Sequence, residues 1–85
     1  MASIRKVMDA VVGARGDSNI KFRDLRRLLI RFGFVERTKG GHYIFTRDGV
    51  VEIINLQPLS GGMAKAYQVK QVREIITRYS LSLRT

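Results

Sequence analysis

Phe34-Val35-Glu36-Arg37-Thr38-Lys39-Gly40-Gly41-His42-Tyr43-Ile44-Phe45-Thr46-Arg47-Asp48-Gly49-Val50-Val51-Glu52-Ile53-Ile54-Asn55-Leu56 decides the fold. Residues 34–39 place charges near alternate positions, the period of a strand. Gly40-Gly41 is a two-residue hairpin signal, because the favoured tight hairpin turns need positive φ. His42 to Thr46 is rich in β-branched and aromatic residues and reads as a second strand. Arg47-Asp48-Gly49 is a second turn. Val50 to Leu56 reads as a third strand, the most buried of the three by composition. Three strands joined by two tight turns make an antiparallel meander.

Outward from the meander the period becomes helical. Ile4, Val7, Met8, Val11 and Val12 form one apolar stripe, which predicts a helix over about residues 3–14. Gly13 and Gly16 end it, and Asp17-Ser18-Asn19 is a linker. Phe22, Leu25, Leu28, Leu29 and Phe32 form a second stripe, capped by Gly33, with Phe34 folding back on the last turn. Downstream, residues 57–66 read as a mobile loop around Gly61-Gly62. Val69, Val72, Ile75, Ile76 and Tyr79 mark a last helix, with Lys70, Arg73 and Arg78 off its apolar face. Residues 80–85 read as a frayed tail. The order α-α-β-β-β-α predicts one α+β domain over residues 1–85, two-layered, with helices on one face of a three-stranded antiparallel sheet. Its core topology is that of the double-stranded RNA-binding domain, with an extra N-terminal helix.

The 85 residues carry 16 Lys+Arg against 7 Asp+Glu, a formal net charge of +9, and 45% are hydrophobic. That much apolar content excludes a disordered chain. With no cysteine there is no disulfide framework, redox pair or thiolate zinc site. One histidine does not supply a His-based metal site. No apolar run approaches the roughly 20 residues of a membrane span, and the N-terminus leads into an amphipathic stretch and not a signal peptide. A reducing, cytoplasmic setting is expected. The charge points to a polyanion or an acidic protein partner. Residues 21–47 hold eight Lys+Arg and two Asp+Glu, so the excess gathers around the second helix and first hairpin.

The sole imidazole, His42, follows the Gly-Gly turn. RNA carries its own nucleophile, the 2′-hydroxyl, so one well-placed proton-transfer group cleaves it without a metal. Lys39, Arg37 and Arg47 are the nearby cations that would hold the phosphate. Gly40 and Gly41 would let a backbone come close. The bland alternative is a half-exposed turn histidine. Arg23, Arg27 and Arg31 recur every four residues and would track phosphates, unless they are simply a solvated helix face. Tyr43 and Phe45 share a sheet face; Phe45 reads as core, and Tyr43 is open to base stacking. Asp24 reads as a first-turn helix residue and Asp48 as a turn residue. There is no phosphate-binding glycine fingerprint and no serine-nucleophile motif.

One ordered set of pieces is familiar: Asp24-Leu25-x-x-Leu28-Leu29, Gly33-Phe34, Arg37-x-x-Gly40-Gly41-His42-x-x-Phe45 and Val72-Arg73-x-Ile75-Ile76. It resembles the HicA, or YcfA-like, toxin family over about residues 21–79. The resemblance implies a small, basic, metal-independent mRNA interferase with no cofactor, acting on mRNA in a prokaryotic cytoplasm. Its active histidine would correspond to His42. It also implies a HicB-type antitoxin that covers the histidine surface, and a possible homo-oligomer within that complex.

The sequence departs from the family in two places. Gly41 stands where the family has serine or threonine, and the helix over residues 3–14 is additional, serving the core, a dimer or the antitoxin. The dense lysine cluster of duplex-binding domains is also missing from the last helix. Two rivals follow: a non-catalytic RNA-binding module or decayed toxin, and an interaction protein that binds an acidic partner.

Overall fold

The computed structural model describes residues 3–84. Three helices, α1 (Ile4–Val12), α2 (Phe22–Arg31) and α3 (Ala66–Arg78), flank strands β1 (Val35–Lys39), β2 (His42–Thr46) and β3 (Ile54–Leu56). The fold is α+β, with one antiparallel sheet in the order β1-β2-β3, as the sequence predicts. A short 3₁₀ turn at Asp17–Asn19 joins α1 to α2.

Each helix end has a local cause. Ser3 Oγ caps α1 by accepting the Lys6 amide at 3.2 Å. At the end of α2, Gly33 has φ +91°. Its amide donates to the Ile30 carbonyl (2.9 Å), and the Phe34 amide donates to the Leu29 carbonyl (3.0 Å). This pair is a Schellman closure, and it returns the Phe34 ring into the core. Gly40 (φ +54°) and Gly41 (φ +83°) supply the left-handed geometry of the first hairpin, and Lys39 pairs with His42 across it.

The core lies between the sheet and the helices. Phe45, Ile54 and Leu56 from the sheet meet Leu25, Leu28, Leu29 and Phe32 of α2, and Val69, Val72, Ile75 and Ile76 of α3. Each such large side chain contributes roughly 1.5–3 kcal/mol by leaving water. The extra helix belongs to this core: Val7 and Val11 of α1 are buried, and α1 packs on α2 and α3. Arg73, expected off the apolar face, is instead half-buried. Its guanidinium donates to both Asp17 carboxylate oxygens (2.9 and 3.0 Å) and to the Val11 carbonyl (3.0 Å), tying α3 to the end of α1. The arginine lowers the Asp17 pKa, and the carboxylate raises that of Arg73.

Three sequence expectations are corrected. The third strand begins only at Ile54, not at Val50, and Val51 and Ile53 are 88% and 64% exposed. Register is the reason: Phe45 pairs with Ile54, so of residues 50–53 only Ile53 falls opposite β2, at its last residue Thr46. That segment turns toward α3 instead. The Val51 amide donates to the Tyr79 hydroxyl (3.3 Å), and Glu52 accepts from Tyr79 and Arg78. The glycine loop, expected to be mobile, is bonded back onto the start of α2: the Phe22 amide donates to the Gly62 carbonyl, the Ala64 amide to Ile20, and the Leu59 amide to Met63. The buried Gln68 amide, oriented to satisfy both ends, also meets the Gln57 backbone. The tail, expected to fray, lies across the end of α2 as far as Arg84. The Arg84 amide donates to the Arg31 carbonyl (2.8 Å), and Leu81 and Leu83 pack against the core. Thr85 lies outside the described residues.

Candidate functional site

Side chains along a strand alternate between faces, and that parity divides the sheet. Phe45 and Tyr43 of β2, with Ile54 and Leu56 of β3, point to the helices. His42, Ile44 and Thr46 point the other way. By register, so do Lys39 opposite His42, Arg37 opposite Ile44, Val35 opposite Thr46, and Asn55 on the far side of Ile44. Val35, Arg37, Lys39, Thr46 and Asn55 are exposed, so among the described residues this second face is the open face of the domain.

His42 stands at its turn end, half-buried. Its Nδ1 lies 2.9 Å from Asn55 Oδ1. An amide oxygen only accepts, so Nδ1 is the donor in this contact, and Nε2 has no hydrogen-bond partner among the described residues. Lys39 is the direct cross-strand neighbour of His42, at the roughly 5 Å Cβ spacing of such pairs. Among the described residues, neither Lys39 nor Arg37 has an ion-pair partner. A proton acceptor, an orienting amide and two uncommitted cations therefore share one solvent-facing surface. A shallow hollow of about 490 Å³ runs along it between Arg37, Thr38, Lys39, Ile44, Thr46 and Ile53.

The other expected contacts fall elsewhere. Arg47 sits past the opposite end of β2 and lines a cleft with Gly33 and Arg84. Five residue steps of about 3.3 Å each separate it from His42, roughly 16 Å along the strand. Arg23, Arg27 and Arg31 belong to the helix layer. With Arg26, Ile30 and Glu36 they line a separate groove of about 350 Å³. Arg26 is held by Glu36 at 2.6 Å, and Arg27 by Asp24 at 2.9 Å. Arg31 Nε donates to the Arg84 carbonyl at 3.3 Å. Glu36, first through its hydrogen bond, raises the pKa of Arg26 further.

Tyr43 is committed to the fold. Its ring meets Phe22 edge-on at 5.0 Å between centroids, and the Arg26 guanidinium covers it at 4.4 Å. The guanidinium occupies one face of the ring that a base would need. Asp24 lies in the first turn of α2, as the sequence reading has it, and is buried there. Asn55 is the residue that sequence reasoning missed. Its strand position was legible, but its approach to His42 is a diagonal contact that exists only once the β2–β3 register is known.

Among the described residues, no group of three His, Cys, Asp or Glu side chains is gathered to hold a metal ion. No helix among the described residues is long and apolar enough to cross a membrane. No family model matches the chain, and neither does any curated protein or solved structure.

Proposed function

We propose that this protein is an endoribonuclease of the HicA kind, the toxin half of a toxin–antitoxin pair, cutting mRNA in a prokaryotic cytoplasm. The observation that carries the reading is the open sheet face: His42, oriented by Asn55, beside the free cations Lys39 and Arg37. The +9 charge supplies attraction for a polyanion. His42 Nε2 takes the proton of a ribose 2′-hydroxyl. The 2′-oxygen attacks the adjacent phosphorus, the bond to the 5′-oxygen breaks, and a 2′,3′-cyclic phosphate and a 5′-hydroxyl result. The leaving oxygen takes its proton from water or another donor. Lys39 and Arg37 stabilise the charge that builds on the phosphoryl oxygens. The test is induced expression of wild type and His42→Ala in a bacterial host. Growth arrest and mRNA loss with wild type alone support the reading, as does in vitro cleavage that survives chelation. A strict magnesium requirement, or a His42→Ala variant that folds and cleaves normally, overturns it.

Two observations favour a second reading, binding without cleavage. Gly41 puts no hydroxyl beside His42, and the open face carries the exposed apolar residues Val35 and Ile53 as well as the half-buried Ile44. An apolar strip flanked by Arg37 and Lys39 suits an acidic protein such as a HicB-type antitoxin. Under this reading His42→Ala leaves RNA and partner affinity unchanged.

A further inference from the structure

Arg47 is not part of the open-face site, and its position is unusual. Its Nε and Nη1 are shut off from solvent and have no hydrogen-bond partner. Buried donors without acceptors are rare in native proteins and costly. The residue lines the neighbouring cleft, a space of about 310 Å³ bounded by Gly33, Val35, Thr46, Arg47, Asp48 and Arg84.

A second guanidinium stands in this cleft. That of Arg84 lies against Gly33 so closely that a Cβ there would sit 2.5 Å from its Cζ and Nε. Gly33 therefore leaves the room that Arg84 fills. The Arg84 backbone is pinned by the two bonds it shares with Arg31. Among the described residues neither Arg47 nor Arg84 has an ion-pair partner, and Asp48 lines the cleft beyond contact with either. The C-terminal end of α2 offers only about half a negative charge. That does not balance three arginines gathered at positions 31, 47 and 84.

We propose that this cleft is a phosphate-binding site, in which Arg47 and Arg84 clasp one anionic group between them. Guanidinium N–H donors match phosphate oxygens, and two guanidiniums lining one cleft give such a group both charge and direction. The site stands whether or not His42 is catalytic. Val35 and Thr46 belong to the open face and also wall the cleft, so the two surfaces are continuous. The phosphate is either free or part of a nucleic-acid strand crossing from His42.

The test is an NMR titration of the ¹⁵N-labelled full chain, following the arginine Nε–H signals. Inorganic phosphate is added first, and a short 2′-deoxy oligonucleotide, which has no 2′-hydroxyl to attack, second. Phosphate should move Arg47 and Arg84 together and saturably, while Arg73 and Arg78, already in ion pairs, stay put. Arg84→Gln should weaken phosphate binding about tenfold, the effect of losing one charge-assisted contact, and Asp48→Asn should tighten it several-fold. His42→Ala should leave it unchanged, which separates this site from the nuclease reading. An oligonucleotide that displaces phosphate from the cleft assigns it to a nucleic-acid backbone. One that moves only the His42 end while phosphate stays assigns it to free phosphate. Shifts at neither arginine, parallel non-saturating shifts at all of them, or wild-type affinity in Arg84→Gln overturns the proposal. Arg84 and Asp48 are exposed, so these variants keep the test decisive if Arg47→Gln does not fold.

Discussion

His42 on β2 and Asn55 on β3 meet side chain to side chain, Nδ1 to Oδ1, at 2.9 Å. The contact fixes both the ring's rotation and the nitrogen that carries its proton. Without it the imidazole turns about its own axis and exchanges tautomers. Asn55→Leu is expected to shift the ¹⁵N signature of His42 away from the Nδ1–H form. RNA cleavage should slow about five- to tenfold, the worth of one ordinary hydrogen bond. Asn55 is exposed, so the fold should persist. Asn55→Asp keeps an acceptor at the same place and should keep the tautomer. An unaltered ¹⁵N signature and rate in Asn55→Leu would remove Asn55 from the site.

Tyr43 and Ile44 are neighbours in sequence on opposite sides of the sheet, and their substitutions should separate accordingly. Tyr43→Ala removes the edge contact with Phe22 and the surface under Arg26. The expected cost is about 2–3 kcal/mol, or a Tm lower by roughly 10 °C or more in a domain of this size. RNA affinity should not change once folding is corrected for. Ile44→Ala on the open face should cost only about 1 kcal/mol, with its larger effect on partner or RNA binding. Thermal melts with filter-binding of the same variants check both.

How far the sequence could be read depended on the range of the forces involved. The α2 stripe and its Gly33 closure are local: Leu25, Leu28, Leu29 and Phe32 face one way by helical period alone, and Phe34 N–H finds Leu29 within one turn. The Gly40-Gly41 hairpin is equally local. Val50 to Ile53 is apolar enough to read as a buried strand. What holds it out of the sheet is the β2 register and the Tyr79 hydroxyl, which comes from 28 residues away. His42 was legible as the single imidazole after a glycine turn. Asn55 was not, because a diagonal partner has no signature within its own strand. Arg47 follows the odd-numbered parity of Tyr43 and Phe45, which carries it away from His42.

At the hairpin, both turn residues have positive φ and open space around the missing Cβ. Asparagine tolerates that backbone better than other side chains and removes freedom that glycine has in the unfolded chain. Gly40→Asn should therefore stabilise by about 0.4–1 kcal/mol, raising Tm by a few degrees. Gly41→Ser introduces the hydroxyl seen in the resembled family, at φ +83°. It should cost about 1–2 kcal/mol for the left-handed backbone. A stability gain in Gly41→Ser would contradict the turn geometry, and the same variant's cleavage rate measures what the hydroxyl does beside His42.

Asp17 and Arg73 make part of the fold's stability sensitive to acid. The carboxylate accepts from both amino groups of Arg73, and chiefly this hydrogen bonding holds its pKa below the ordinary carboxylate value. The unfolded chain therefore binds this proton more readily than the native one. The stabilisation is complete above the unfolded pKa and is lost as pH falls through the lower, folded one. Arg73→Met should cost about 1.5–3 kcal/mol at neutral pH, since it also strips the Val11 carbonyl of a donor. It should also flatten the fall of Tm below about pH 4, the ordinary range of a free aspartate. Asp17→Asn should flatten the same limb but leave the Val11 bond in place, so its neutral-pH loss should be smaller. Melting curves of the three proteins across that window decide the matter. If all three lose stability in parallel on acidification, other carboxylates carry the transition and the Asp17–Arg73 clamp does not.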